Sequence, residues 1–338
     1  MADRLRIGLI GAGRIGRLHA SHIAFRLPEA ELICISDVFL EAAEKCASTV
    51  GVHDTYSDYR KVLERRDVEA VMICSSTDTH AEIIEAAAEA GKHIFCEKPI
   101  ALEPARINVA LEAVEKAGVK LQIGFNRRFD ANFSRVRELV AAGKIGKPQI
   151  LRITSRDPEP PPLEYVKVSG GIFLDMTIHD FDMARFLMGE EVTEIFATGE
   201  VLINPGIARY GDVDTALVFL KFQSGAIGSI DNSRKAVYGY DQRVEVFGSE
   251  GNVMASNNTP DNVSLLDSAG NHLAKPLYFF MDRYVESYLN EVREFIDAVR
   301  NDRKPGVTGI DGKIPVLMGL AAKKSLREGR PVKVEEIG

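Results

Sequence analysis

The sequence predicts an α/β protein of two domains: residues 1–123 form a doubly wound parallel sheet, and residues 124–338 an α+β domain with a large, open, mostly antiparallel sheet. Three observations carry this. The 338 residues exceed the size at which a single core normally keeps growing. From residue 6, short apolar runs alternate with longer helical stretches, as parallel strands covered on both faces require. Beyond about residue 125 the strands follow one another across short turns, which is the antiparallel pattern.

In order, "RIGLIG", "AELICISD", "AVMICSS", "HIFCEK" and "LQIGFN" are the first strands, with helices between them. In the second part, "GKIGKPQILRITSR" is a turn leading into a strand, and "VTEIFATGEVLI", "VDTALVFLKF", "GAIGSIDNS" and "QRVEVFG" follow. The stretch "YVESYLNEVREFIDAVR" sets Tyr288, Val292, Phe295, Ile296 and Val299 on one helical stripe, so that helix packs on the body. "RDPEPPPLEYVKVSGG" is proline-rich, which often marks a linker; between a strand and an informative helix it reads instead as a stiff loop over a site.

At 45% hydrophobic and 27% charged residues the composition is that of an ordinary globular protein. A net charge of -7 with no basic run excludes nucleic acid as a partner class. The N-terminal apolar run is too short for a signal peptide and no stretch approaches a membrane span, so a soluble, cytoplasmic protein without membrane contact is expected. The four cysteines show no CxxC spacing and three lie in apolar strands, which argues against disulfides and a cysteine metal site.

The first turn, "GAGRIG", fits GxGxxG: Gly11, Ala12, Gly13, Arg14, Ile15 and Gly16. The motif alone is weak, but it follows a strand, opens a helix, and the next strand ends in Asp37. Gly11 lets the chain turn, Gly13 lets backbone approach a pyrophosphate, and Gly16 allows helix and strand to pack closely. Asp37 would accept hydrogen bonds from a ribose and repel a 2′-phosphate, and Val38 and Phe39 beside it offer no offsetting cation, so NAD is expected rather than NADP. Ser75, Ser76 and Thr77 leave the "AVMICSS" strand where such sheets bind ligands, while Thr79 with Glu82 reads as a capping box for the next helix. By the same rule Glu97 and Lys98 belong at the nicotinamide end of the cofactor.

The apolar helix "GGIFLDMTIHDFDMARFLMG" carries Asp175, His179, Asp180, Asp182 and Arg185. On a 100° step His179 stands about 40° to one side of Asp175 and Asp182 about 20° to its other side, one narrow polar face that must meet water, a partner or a ligand. Three readings stand: a core histidine bonded to Asp175, a metal ligand, or an acid–base group. No third ligand stands at helical spacing and neither HxxE nor HExxH occurs, which counts against metal. Oxidising an alcohol by hydride transfer needs a base of suitable pKa and a cation beside the developing alkoxide, roles that suit His179 and Lys98, with Asp175 orienting the imidazole.

With "GAGRIG", "EKP" at 97–99, "GKIGKP", "DMTIHDFDMARF" and "GRPV", the chain resembles the glucose-fructose oxidoreductase and inositol dehydrogenase family (Gfo/Idh/MocA) over essentially its whole length. "GFNRRFD", "SRDPEPPP", "SGGIFLDMTIHD" and "YGYDQR" point more narrowly to its inositol-oxidising members. The resemblance implies an N-terminal Rossmann domain and a C-terminal domain for substrate binding and oligomerisation. It implies Lys98, Asp175 and His179 as the catalytic group, a cis Lys98–Pro99 peptide, and a homotetramer formed through the open face of the second sheet. It also implies NAD-dependent oxidation of a ring hydroxyl of myo-inositol to a keto-inositol. Asn126, Arg127, Asp157 and Tyr238 are the candidates to bind the polyol, with Tyr240 competing for Tyr238's role. Another cyclitol or sugar as substrate, and a non-catalytic NAD-binding sensor, are the alternatives, because a fold does not fix a substrate.

Overall fold

The computed structural model describes residues 4–338. Six short strands, β1 (Leu5–Ile10), β2 (Ala30–Ser36), β3 (Asp54–Tyr56), β4 (Ala70–Ile73), β5 (His93–Glu97) and β6 (Leu121–Gly124), form one sheet in the order β3-β2-β1-β4-β5-β6. Every pairing is parallel. This is the doubly wound order in which the chain reverses direction between β1 and β4, where ligands bind. The intervening helices are α1 (Arg14–Arg26), α2 (Leu40–Val50), α3 (Arg60–Leu63), α4 (Thr77–Glu89) and α5 (Pro104–Ala117). The five strands read from the sequence are all present. Strand β3 is additional: three polar, partly exposed residues at the sheet edge give no apolar run to read.

The second sheet has seven strands: β7 (Pro148–Arg156), β8 (Val192–Glu200), β9 (Thr215–Phe222), β10 (Ile227–Ser233), β11 (Asp241–Gly248), β12 (Gly251–Ala255) and β15 (Val332–Lys333). Its order is β12-β11-β7-β10-β9-β8-β15, antiparallel except for the β7–β10 pair. A separate hairpin comprises β13 (Ser264–Asp267) and β14 (Gly270–Leu273). The helices of this part are α6 (Ala131–Ala141), α7 (Leu163–Ser169), α8 (Ile172–Asp175), α9 (Thr177–Met188) and α10 (Phe280–Arg283), followed by α11 (Val285–Arg300) and α12 (Gly309–Glu328). On β9 the alternation is strict, Ala216, Val218, Leu220 and Phe222 facing in and Leu217, Phe219 and Lys221 facing out.

The chain divides into two compact units, residues 1–126 with 288–316, and residues 127–287 with 317–338. The first crossing of the chain falls between Asn126 and Arg127, against an expectation of 123/124, and the chain crosses back for residues 288–316. Residues 288–316 belong with the parallel sheet, because Leu289, Val292, Phe295 and Ile296 of α11 join Leu5, Ile7, Leu9, Ile23, Leu27 and Phe95 in one core. An amphipathic stripe shows that a helix packs, but not on which sheet.

Candidate active site

In the first unit, each glycine of the opening turn has its own steric reason. Gly11 has φ +97°, where a Cβ would stand 2.5 Å from the backbone of Cys74 and Ser75, and its N–H donates to Ser36 O at 2.7 Å. At Gly16 a Cβ would lie 1.9 Å from Gly11 O. Gly13 is different: a Cβ there meets nothing within 4 Å, and the residue caps α1 without a side-chain hydrogen bond. The start of α1 thus has open space at its capping residue, no side-chain cap and no acidic residue in its first turn, as an anion at a helix N-terminus needs. Asp37, at the end of β2, accepts from Ala12 N at 2.8 Å and from Phe39 N at 2.9 Å, one bond to each oxygen. Each oxygen keeps acceptor capacity for a ribose hydroxyl. An open glycine, an uncapped helix start and this carboxylate fit a bound dinucleotide.

At the end of β4, Ser75 Oγ lies 2.7 Å from Thr79 Oγ1, which donates to Ser76 O. The capping box expected of Thr79 and Glu82 does not form. Helix α4 begins two residues earlier, at Thr77, and the Glu82 carboxylate accepts from Tyr59 and Arg60 instead. Buried His80 joins two loops, with Nδ1 2.8 Å from Pro99 O and Nε2 3.0 Å from Ser75 O. Both neighbours are acceptors, so satisfying both takes two N–H donors. Burial, only partly opposed by these two carbonyls, lowers the pKa of this imidazole. Strand β5 ends at Glu97, whose Oε1 meets His19 Nε2 at 2.9 Å; Lys98 follows, half-buried, and the Lys98–Pro99 peptide is cis. Asn126, the last residue of this unit's first segment, is buried, and its amide nitrogen has no hydrogen-bond partner among the described residues.

In the second unit, the helix expected over 170–189 is two, α8 and α9, meeting at Met176. From Gly171 to Arg185 every residue is buried except Asp175 and His179, which are half-buried. Asp182 does not share their face. It is buried and accepts from Nε and a terminal nitrogen of Arg128 at 2.6–3.1 Å, so the partner that its charge requires is a neighbouring arginine. Asp180 is likewise held inside, by Arg127 at 2.6 Å and Asn232 at 2.8 Å.

Asp175 accepts from Tyr165 OH at 2.8 Å and from Arg234 at 3.0 Å, and the same buried guanidinium reaches Asp157 at 3.4 Å. Burial, with the charge of Asp175 adding and Arg234 opposing, raises the Asp157 carboxyl to about 6. Arg127 is buried, bonded to Asp180 and to Tyr240 OH at 3.3 Å. Tyr240 is buried too. Tyr238 is more open, donating to Asp241 at 2.6 Å and accepting from Arg156 at 3.1 Å. The proline-rich segment leads into α7, which carries Tyr165.

Sequence reasoning missed Tyr165, Arg234, His80, His19 and Glu291. Arg234 pairs with residues 59 and 77 positions away, and no spacing rule reaches that far. Tyr165 lay in a segment read only for its prolines, and His80 was passed over within the capping-box reading.

Residues 5–125 match the family model described as "Oxidoreductase family, NAD-binding Rossmann fold", and residues 133–254 match "GFO/IDH/MocA C-terminal domain". Myo-inositol 2-dehydrogenase of Thermotoga maritima is 54% identical across 98% of this chain and 99% of its own. The scyllo-inositol 2-dehydrogenase (NAD(+)) of Bacillus subtilis is 39% identical across 99% and 98%. The structure of scyllo-inositol dehydrogenase from Lactobacillus casei with bound NAD(H) and scyllo-inositol superposes with a TM-score of 0.92 at 28% identity, covering 98% of this chain and 100% of that one. With both family models matched and the relatives aligned end to end, the chain belongs to the Gfo/Idh/MocA family of NAD-binding oxidoreductases.

Proposed function

We propose that the protein oxidises a ring secondary hydroxyl of myo-inositol to the corresponding keto-inositol, with NAD as the hydride acceptor. The observation that carries the chemistry is the pair Asp175 and His179, the two positions from 171 to 185 left accessible in an otherwise buried helical stretch. His179 takes the hydroxyl proton, Asp175 orients its ring, and Lys98 steadies the developing alkoxide. Asp175 is itself fixed by Arg234 and Tyr165, which holds its orientation before substrate arrives. Gly11, Ala12, Gly13, Arg14 and Ile15 take the pyrophosphate, Asp37 the ribose, and Ser75, Ser76, Thr77, Glu97 and Lys98 the remaining length of the dinucleotide. Asn126, Arg127, Asp157 and Tyr238 serve the polyol. The unpartnered amide of Asn126 supports its part, whereas Arg127 acts through the Asp180 pair that holds it.

The choice of myo-inositol follows the name of the 54% identical relative. A second reading, scyllo-inositol, has support from the 39% identical relative and from the structure holding that ligand. NAD reduction by the purified protein with myo-, scyllo- and chiro-inositol and glucose separates them: preference for myo-inositol supports the first reading, and preference for scyllo-inositol replaces it.

The protein also assembles, in this proposal, as a cytoplasmic homotetramer. Leu217, Phe219, Ile227, Phe247 and Met254 are each at least 43% exposed on the strands of the second sheet, an apolar patch of the kind that marks an interface. Phe219→Glu should yield smaller species in sedimentation velocity; an unchanged assembly would place the interface elsewhere.

A further inference from the structure

The first unit buries a carboxylate that the proposed chemistry does not use. Glu291 on α11 and His19 on α1 are both fully buried, and Glu97 closes β5 immediately before Lys98. One side-chain ligand atom from each of the three lies within 4.8 Å of the others. His19 Nε2 stands 2.9 Å from Glu97 Oε1 and 3.9 Å from Glu291 Oε1, and neither oxygen of Glu291 has a hydrogen-bond partner among the described residues. The titratable groups facing Glu291 are Glu97, His19 and the thiol of Cys74, which burial keeps neutral.

Two carboxylates this close in a dry interior cannot both stay ionised without a compensating cation. Burial, then the charge of Glu97, pushes Glu291 well above the carboxylate range. The cation is either a divalent metal or a proton. A metal would need a lone pair on His19 Nε2, whereas a hydrogen bond across its 2.9 Å to an ionised Glu97, which can only accept, takes an N–H on that nitrogen. The proton fits without disturbing that bond. The terminal torsion of a glutamate is soft, so a small rotation brings a Glu291 hydroxyl onto Glu97.

We propose that Glu291 is a positioning residue held as a neutral carboxylic acid, its hydroxyl donating to Glu97, so that Glu97 is clamped between an imidazole N–H and a carboxyl O–H directly before Lys98. Glu97 also lies against Gly124, where a Cβ would come within 3.1 Å of its carboxylate, so the clamp has little slack. The consequence for turnover rests on Lys98 steadying the alkoxide; the protonation state does not.

Two variants and one spectrum test this. Glu291→Gln keeps an N–H donor and the shape, and should keep kcat within about twofold; Glu291→Leu removes the donor and should lower kcat about tenfold and, through Glu97, raise the NAD Kd. The infrared difference spectrum of ¹³C-glutamate-labelled wild type minus Glu291→Gln, at pH 8, should show the C=O band of a protonated carboxyl. The spectrum decides the protonation state even if Glu291→Leu fails to fold. No such band, or a stoichiometric divalent metal in the purified protein that Glu291→Gln loses, would overturn the proposal, as would full activity in Glu291→Leu. Full activity in Lys98→Ala with the band still present would instead remove the chemical reading and leave the clamp standing.

Discussion

The opening turn of the first unit and the Asp175–His179 face of the second are built by opposite means. In the turn, backbone meets backbone: Gly11 sits against Cys74 and Ser75, Gly16 against Gly11, and Asp37 holds Ala12 N. In the face, side chains hold side chains from distant strands: Arg234 follows β10, Asp157 follows β7, and Tyr165 comes from α7. The first kind of site fails sterically when an atom is added. The second is expected to fail electrostatically when a charge is changed, and its tolerance should depend on pH.

The largest effect separates two glycines within the turn. Gly16→Ala places a Cβ 1.9 Å from Gly11 O and should destabilise the protein by about 3 kcal/mol, with loss of NAD binding. Gly13→Ala meets open space and should leave stability within about 0.5 kcal/mol while weakening NAD binding. Chemical denaturation with and without NAD distinguishes the two. Equal stability losses would mean that the turn is not organised by close packing at Gly16.

The next effect is electrostatic. The Asp157 carboxyl titrates near 6 in the folded protein against an ordinary value of 3.8, so between these values the folded state binds more protons than the unfolded chain. Its contribution is full below about pH 4 and is lost as pH rises through about 6. Asp157→Asn should remove that slope, gaining about 2 kcal/mol on wild type between pH 4 and pH 7. Parallel stability profiles of the two proteins would assign the slope to other groups. Smaller still, Asp37→Ala should shift the NAD over NADP preference by about tenfold, or about 1.4 kcal/mol, in kcat/KM measured with each cofactor.

The same contrast explains what could be read from the chain. The turn was legible because its demands are local: three glycines within six residues and an aspartate one strand later state the geometry outright. The strand at "VDTALVFLKF" and the parallel character of the first sheet were legible for the same reason, since short apolar runs and the helices between them are local signals. The polar face was legible only in part. Asp175 and His179 are the accessible residues of their stretch, but Asp182, assigned to the same face by angle, is turned inward by Arg128, a residue 54 positions away. The fate of α11 was hidden in the same way, because its stripe fits either sheet. Glu291 escaped notice because a charged residue on an apolar stripe gives no sign, in sequence, of lying beside His19 and Glu97.

The central claim is that His179 moves the substrate proton. The direct test is the rate of NAD reduction by His179→Ala with saturating myo-inositol, beside the NAD dissociation constant of the same protein. The account predicts turnover lowered about a thousandfold, within the range for loss of a general base, and NAD binding unchanged. Turnover near that of wild type would contradict it and assign the proton transfer to another group.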